Sequence, residues 1–289
     1  MGSHDQTFTL PDGRRLGYAE WGDPAGAPVL YFHGTPASRL DPQNFPDAPT
    51  AAGVRLFSLD RPGMGLSSFQ RGRAVADWPA DVAAFADAQG LDRFGVAGWS
   101  GGGPYVLACA WKLADRLTGA AAAAGVGRLD RPGALKGMNA LDRLSYRLSR
   151  VAPPVARAAL GIVFAASRRK PAQALESFTK DVSASDRQVI AGLPDEAKAM
   201  GWFLESGRQG GRGPTQDYRA LKDWGFALAE VAAPVDLWQG DADELVPMEH
   251  AEDLAAGVPN ATLHRCPGEG HLVMVTHAEE ILRAAAGAT

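Results

Sequence analysis

Ser100 stands in the run Gly98-Trp99-Ser100-Gly101-Gly102, with an apolar stretch before it and an alanine-rich, helix-forming stretch after it. The run fits G-x-S-x-G, in which a serine on a sharp strand-to-helix turn is lifted above the end of a sheet. Glycine costs chain entropy, so the bend requires a closeness or conformation that side chains forbid. A hydroxyl placed there meets the free N–H groups and positive dipole end of the helix that follows, which suits a developing oxyanion. The competing use of a glycine-rich turn, a phosphate cradle, lacks the Lys-Ser or Lys-Thr pair and the G-x-G-x-x-G spacing it needs.

A serine hydroxyl becomes a useful nucleophile only when a base takes its proton. Of the six histidines, His250 falls in a charged helix, His264 in a strand and His277 in the last helix, all positions expected at the surface. His271 differs, because "PGEGH" places it in a loop between the last strand and the last helix. A loop there reaches over the strand ends, where α/β sheets carry their ligand sites. The histidine in turn needs a carboxylate to fix its tautomer and stabilise its charged form. "WQGDADELVP" at 238–247 offers Asp241, Asp243 and Glu244 just beyond a strand, and position alone does not choose among them.

These residues need elements to position them. "TFTL" (7–10), "RRLGYAEWG" (14–22), "PVLYFHG" (28–34) and "VRLFSLD" (54–60) read as strands. "AVADWPADVAAFADAQG" (74–90) spaces Val75, Trp78, Val82 and Phe85 at three and four, so it reads as an amphipathic helix. "RFGVAGW" then reads as a strand, "GGPYVLACAWKLAD" as a helix and "LTGAAAAAGV" as a buried strand. This alternation predicts an α/β fold with a mostly parallel sheet covered on both faces. From 128 to 213 only helical patterns appear: "ALDRLSYRLSR", with Leu141, Leu144 and Leu148 on one face that must bury, "PAQALESFTK" and "DEAKAMGWFLES". Alternation resumes with "PVDLWQG" (234–240), a helix, "ATLHRC" (261–266) and a last helix from about 272. The expected organisation is a core of 1–127 and 214–289 carrying a helical cap of 128–213. Its aromatics Tyr146, Phe164, Phe178, Trp202 and Phe203 are candidates for an apolar pocket wall, Phe178 and Trp202 first, with Trp99 beside the serine. The bland alternative is that they are packing.

With these segments in order, the chain resembles the α/β-hydrolase superfamily over nearly its whole length apart from the cap. The order Ser100, Asp243, His271 is the one that superfamily uses. "HGTP" at 33–36 resembles its His-Gly oxyanion loop, and "DRPGMGLSS" at 60–68 its D-x-x-G-x-G-x-S segment. "GDADELVP" resembles its G-x-x-D-x-x-V-P acid loop, which selects Asp243, and "GEGH" its histidine loop. The resemblance implies an α/β-hydrolase fold and a catalytic triad of Ser100, Asp243 and His271, with the N–H groups of Thr35 and Gly101 as oxyanion hole. It gives His33 a packing role and has Asp60 and Arg61 hold the neighbouring loop. Members that open epoxides or remove halogens from alkanes carry aspartate at the nucleophile position, so Ser100 argues against both. "HGTPAS" also departs from the His-Gly-Gly-Pro-Gly loop of the proline iminopeptidases. The expected activity is cleavage of an ester, lactone or thioester of a small or medium apolar molecule through an acyl-enzyme. Two rivals remain: triad chemistry without hydrolysis, such as C–C cleavage, elimination or cyclisation, and ligand reception without turnover.

Composition narrows the partners. Across 289 residues, 29 basic and 33 acidic side chains give a formal charge of −4, with no basic run, so neither nucleic acid nor an anionic membrane is expected. "MGSHDQTFTL" lacks the positive region and apolar core of a secretory signal. "VAPPVARAALGIVFAA" (151–166) carries Arg157 and falls short of the ~20 residues a bilayer requires. Cys109 and Cys266 lie far apart and in no metal-ligand spacing, which fits two free thiols in a reducing compartment. A cytoplasmic enzyme with a small-molecule substrate, and with no metal or cofactor, is the expectation.

Overall fold

The computed structural model describes residues 4–192 and 200–288. Strands β1 (Gln6–Thr9), β2 (Arg15–Gly22), β3 (Ala27–Phe32) and β4 (Val54–Leu59) are followed by β5 (Phe94–Trp99), β6 (Leu117–Ala123), β7 (Val235–Gly240) and β8 (Ala261–Cys266). They form one sheet in the order β1-β2-β4-β3-β5-β6-β7-β8. β1–β2 and β2–β4 pair antiparallel, and every pairing from β4–β3 onward is parallel. β3 lies between β4 and β5, so the strand order reverses there and leaves a crevice beyond the C-terminal ends of β3 and β5. Phe32 is in register with Gly98, which brings the loop after β3 beside the Ser100 bend.

The two-residue period of the strands sorts their side chains between two cores. Leu30, Phe32 and Val96 pack with Val82 and Phe85 of α2 (Trp78–Ala88) and with α3 (Gly103–Lys112). Val29, Tyr31 and Ala97 pack on the other face with Ile281 and Leu282 of the C-terminal helix Ala278–Ala286. Each such Leu, Val or Phe removed from water contributes about 1.5–3 kcal/mol. The expected α/β architecture is therefore present, with helices on both faces, including the single turn α1 (Ala48–Ala51).

Between β6 and β7 the described residues hold α4 (Ala140–Val151), α5 (Pro153–Arg169), α6 (Pro171–Lys180), α7 (Ala184–Ala191), α8 (Gly201–Ser206) and α9 (Arg212–Ala220), and no strand. Local chemistry sets their ends. Asn139 accepts the N–H of Asp142 at the start of α4, Ser183 that of Asp186 at the start of α7, and prolines open α5 and α6. Of the helix expected at 195–206, residues 201–206 form α8 and 195–199 lie outside the described residues.

Two expectations are corrected. Leu141 and Leu144 do not bury: they are 57% and 54% exposed, because α4 turns Ser145, Tyr146 and Ser149 inward. Tyr146 packs there with Leu129, Tyr218 and Val246, and the Tyr218 hydroxyl donates to Asp142 (2.8 Å), which fixes the helix's rotation. His250 is not a surface residue. It is buried on α10 (Met248–Gly257), where its Nδ1 accepts the N–H of Gly127 (3.0 Å) and burial pushes its pKa down. Among the described residues no helix is long and apolar enough to cross a membrane.

Candidate active site

β5 ends at Trp99, and a 3-10 turn, Ser100–Gly102, leads into α3. Ser100 adopts φ 55°, a left-handed conformation that costs a non-glycine residue about 1–3 kcal/mol. The neighbouring glycines are needed for room. A Cβ on Gly102 would lie 2.0 Å from the Phe32 carbonyl oxygen, and one on Gly101 2.3 Å from Thr35 Oγ1. Strain therefore falls on the serine, and the glycines let the loop after β3 close over the bend.

That loop, His33-Gly34-Thr35-Pro36, is fixed from below by charges. Arg61 donates from its backbone N–H to His33 Nε2 (3.1 Å), and from its guanidinium to the carbonyls of His33 and Gly34 and to Thr35 Oγ1. His33 directs Nδ1 to the Gly34 carbonyl (2.8 Å). Burial, reinforced by Arg61, keeps it neutral, with its pKa well below the ordinary value, in the packing role expected of it. Asp60 accepts the N–H groups of Arg39 (2.7 Å) and Leu66 (2.8 Å) and so shapes the adjacent loop. Asp217 of α9, far away in sequence, accepts from Arg61, Arg73, Tyr105 and the Thr35 hydroxyl.

Beyond β7, Asp243 Oδ2 pairs with His271 Nδ1 at 2.8 Å. The carboxylate is locked by the N–H groups of Leu245 and Val246 (2.8 Å each) on Oδ1 and by Gln239 Nε2 (2.9 Å) on Oδ2. Asp241 and Glu244 are exposed, and Asp241 instead accepts the Gly268 N–H (2.7 Å). The Asp243 pairing leaves Nε2 as the basic nitrogen of His271. Burial opposes a charge on this ring, but Asp243, through its charge and hydrogen bond, with Asp186 and Asp142 behind it, raises the pKa above 6.5. The His271 carbonyl accepts Trp99 Nε1–H (3.0 Å), and its backbone N–H donates to Asp186 of α7 (2.9 Å).

Ser100, Gly101, Thr35 and His271 all line one cavity of about 290 Å³ beneath the inserted helices. Trp99, Phe178 and Trp202 line it, as do Tyr146 and Phe203, with Leu141 and Val163 at exposed positions on its wall. Phe164 does not: it is fully buried, packed on Phe203 and over Gly207, so it belongs to the packing among the inserted helices. Its surface is mostly apolar, with Asp41, Asn44, Asn139, Asp142 and Asp181 among the polar side chains on it, and among the described residues no Lys or Arg faces the space. Asp41 is buried near the loop after β3, and desolvation pushes its pKa up to about 6.

Cys266, Glu269 and His277 bring three potential metal-ligand atoms within 4.8 Å of one another, and none of the three lines the cavity. His277 is already paired with Glu269 (2.7 Å) and Glu280 (3.2 Å). Burial pushes the Cys266 thiol up to about 11, away from the thiolate a metal requires. Asp217, Asp186 and Gln239 were not singled out from the sequence; Asp217 and Asp186 each touch the site through a partner that no local spacing reveals. Gln239 alone had a signal, two residues before the acid cluster.

The pattern of the alpha/beta hydrolase fold matches residues 27–278. The chain is 28% identical over 282 residues to a non-heme chloroperoxidase of Streptomyces lividans, covering 94% of this chain and 95% of that one. It is also 28% identical over 274 residues to the dihydrolipoyllysine-residue acetyltransferase component of the acetoin cleaving system of Cupriavidus necator. There the match covers 94% of this chain, which spans only 66% of that protein's length. An enol-lactonase from Burkholderia xenovorans LB400 shares the fold with TM-score 0.69 at 17% identity, over 95% of this chain and 96% of its own. The chain belongs to the alpha/beta hydrolase fold family.

Proposed function

We propose that this protein is a serine hydrolase that cleaves an ester, lactone or thioester of a small or medium apolar molecule through an acyl-enzyme. The observation that carries the reading is that one cavity is lined by both the strained Ser100 bend and His271, whose ring Asp243 holds. In this reading Ser100 Oγ attacks the substrate carbonyl while His271 Nε2 takes the hydroxyl proton and Asp243 holds the imidazole's tautomer and balances its charge. The N–H groups of Thr35 and Gly101 receive the oxyanion, and the intermediate collapses as His271 protonates the departing alcohol or thiol. Water, deprotonated by His271, then releases the acid. The block 128–213 acts as the cap, and Trp99, Phe178 and Trp202 form the wall against the acyl group. An apolar space of this size fits a modest acyl chain.

A fluorophosphonate should label Ser100 and no other serine. Ser100→Ala should lose the label and, on a panel of acyl esters, lactones and thioesters, roughly 10⁶ in turnover. Labelling that persists in Ser100→Ala overturns the nucleophile. Oxygen from labelled water should enter the acid product; product free of it would favour an elimination or cyclisation.

A further inference from the structure

The side chain that grips the proposed base from the cap is Asp186. It lies in the first turn of α7, 1% exposed, with both carboxylate oxygens turned onto the core. Oδ2 accepts the backbone N–H of His271 (2.9 Å) and Oδ1 that of Leu272 (2.8 Å), two consecutive amides held by one carboxylate. Ser183, which caps α7, donates its hydroxyl to Oδ2 (2.9 Å) and so fixes the carboxylate from its own helix. The fit against the loop admits no side chain: a Cβ on Gly270 would lie 2.1 Å from Asp186 Oδ2 and 2.2 Å from Ser183 Oγ.

His271 is thus held at three points. Asp243 takes the ring, Trp99 the carbonyl and Asp186 the N–H, and only Asp186 comes from the inserted block. We infer that Asp186 is a positioning residue for His271, through which the inserted helices set the orientation of the proposed base. The inference rests on the reading of His271 as the base. It gives the cap a task besides walling the cavity: where α7 meets the core it is fastened to the machinery, so this end of the cap moves only if the base moves with it.

Two consequences separate this role from ordinary packing. Loss of the carboxylate frees the loop to shift, and a displacement near 1 Å at a reacting group costs about 100-fold in rate. It also removes a negative charge facing His271. Among the described residues, the carboxylates whose charge acts on this ring include Asp243 after β7, Asp186 on α7, Asp142 on α4 and Asp41 after β3. With one fewer, the imidazolium is less favoured and the acid limb of kcat/KM moves to lower pH.

The experiment compares wild type, Asp186→Asn and Asp186→Ala on a neutral ester, with active sites counted by fluorophosphonate titration and folding followed by thermal unfolding. Per titrated site, Asp186→Ala should lose about 10- to 100-fold in plateau kcat, with KM changed less. Asp186→Asn, which keeps one acceptor, should lose less. The acid limb should move to lower pH in both. A folded variant with the wild-type limb and wild-type kcat per site overturns the inference, and if Asp186→Ala does not fold, the limb of the equally sized Asp186→Asn decides. A wild-type protein that neither takes the probe nor turns over any ester would overturn the base assignment itself, a result distinct from an unmoved limb.

Discussion

Asp217 joins a buried charge cluster to Thr35, the proposed oxyanion donor, and Asp217→Asn tests whether stability and chemistry are linked there. The carboxylate is fully buried and accepts from Arg61 Nε (3.1 Å) and Nη2 (2.8 Å), from Arg73, from the Tyr105 hydroxyl (2.7 Å) and from the Thr35 hydroxyl. Burial opposes its charge, yet Arg61 and Arg73 hold it far below the usual carboxylate range. The substitution leaves two buried guanidiniums without their counter-charge, a change that typically costs about 3–5 kcal/mol; asparagine keeps the shape and one acceptor, so roughly 3 kcal/mol is expected. The same change loosens Thr35, whose N–H is a proposed oxyanion donor worth up to about 3–4 kcal/mol in the transition state. Urea unfolding and steady-state kinetics on a neutral ester read the two effects separately. Stability should drop by about 3 kcal/mol, and kcat by at least about tenfold with KM nearly unchanged. The pH dependence has a definite sign. A carboxylate whose pKa is depressed in the fold stabilises above its unfolded value of 3.8 and loses that contribution as pH falls through the folded one. The stability gap between wild type and variant must therefore narrow in acid. A variant within about 1 kcal/mol of wild type and with unchanged kcat would refute both roles.

Asp243→Asn should cost on the order of 10⁴ in kcat by losing the tautomer-fixing partner, while Asp241→Asn, which touches only a loop amide, should stay near wild type; equal mild effects would mean the acid is misassigned. Trp202→Ala or Phe178→Ala should change preference among acyl chain lengths by several-fold, consistent with about 1–3 kcal/mol per apolar pocket contact. Phe164→Ala should instead cost about 3–5 kcal/mol of stability and leave the preference alone, and the reverse pattern would place the pocket elsewhere. The acid limb of kcat/KM should fall above pH 6.5, because Asp243, Asp186 and Asp142 together outweigh burial and protonated His271 cannot take a proton. A limb below that value on a neutral substrate would contradict the electrostatics of the site.

The local sequence determined what depends on neighbours in the chain. Short apolar runs such as "PVLYFHG" and "RFGVAGW" specify strands because a central parallel strand is buried on both faces, as both of these largely are. The glycines around Ser100 and the acid and histidine loops stand at strand ends, so the C-terminal edge of the sheet was legible as the place where they converge. Sequence could not give the rotation of α4, which put Leu141 and Leu144 outside. That rotation is set by Tyr146 packing and by Tyr218 meeting Asp142, 76 residues apart. Nor could it find Asp217, paired with Arg61 across 156 residues, or Asp186, which meets the His271 amide across 85. A lone carboxylate on a helix carries no pattern of its own. Only the packing of the inserted helices against the sheet takes it out of water, and burial makes its hydrogen-bond partners obligatory.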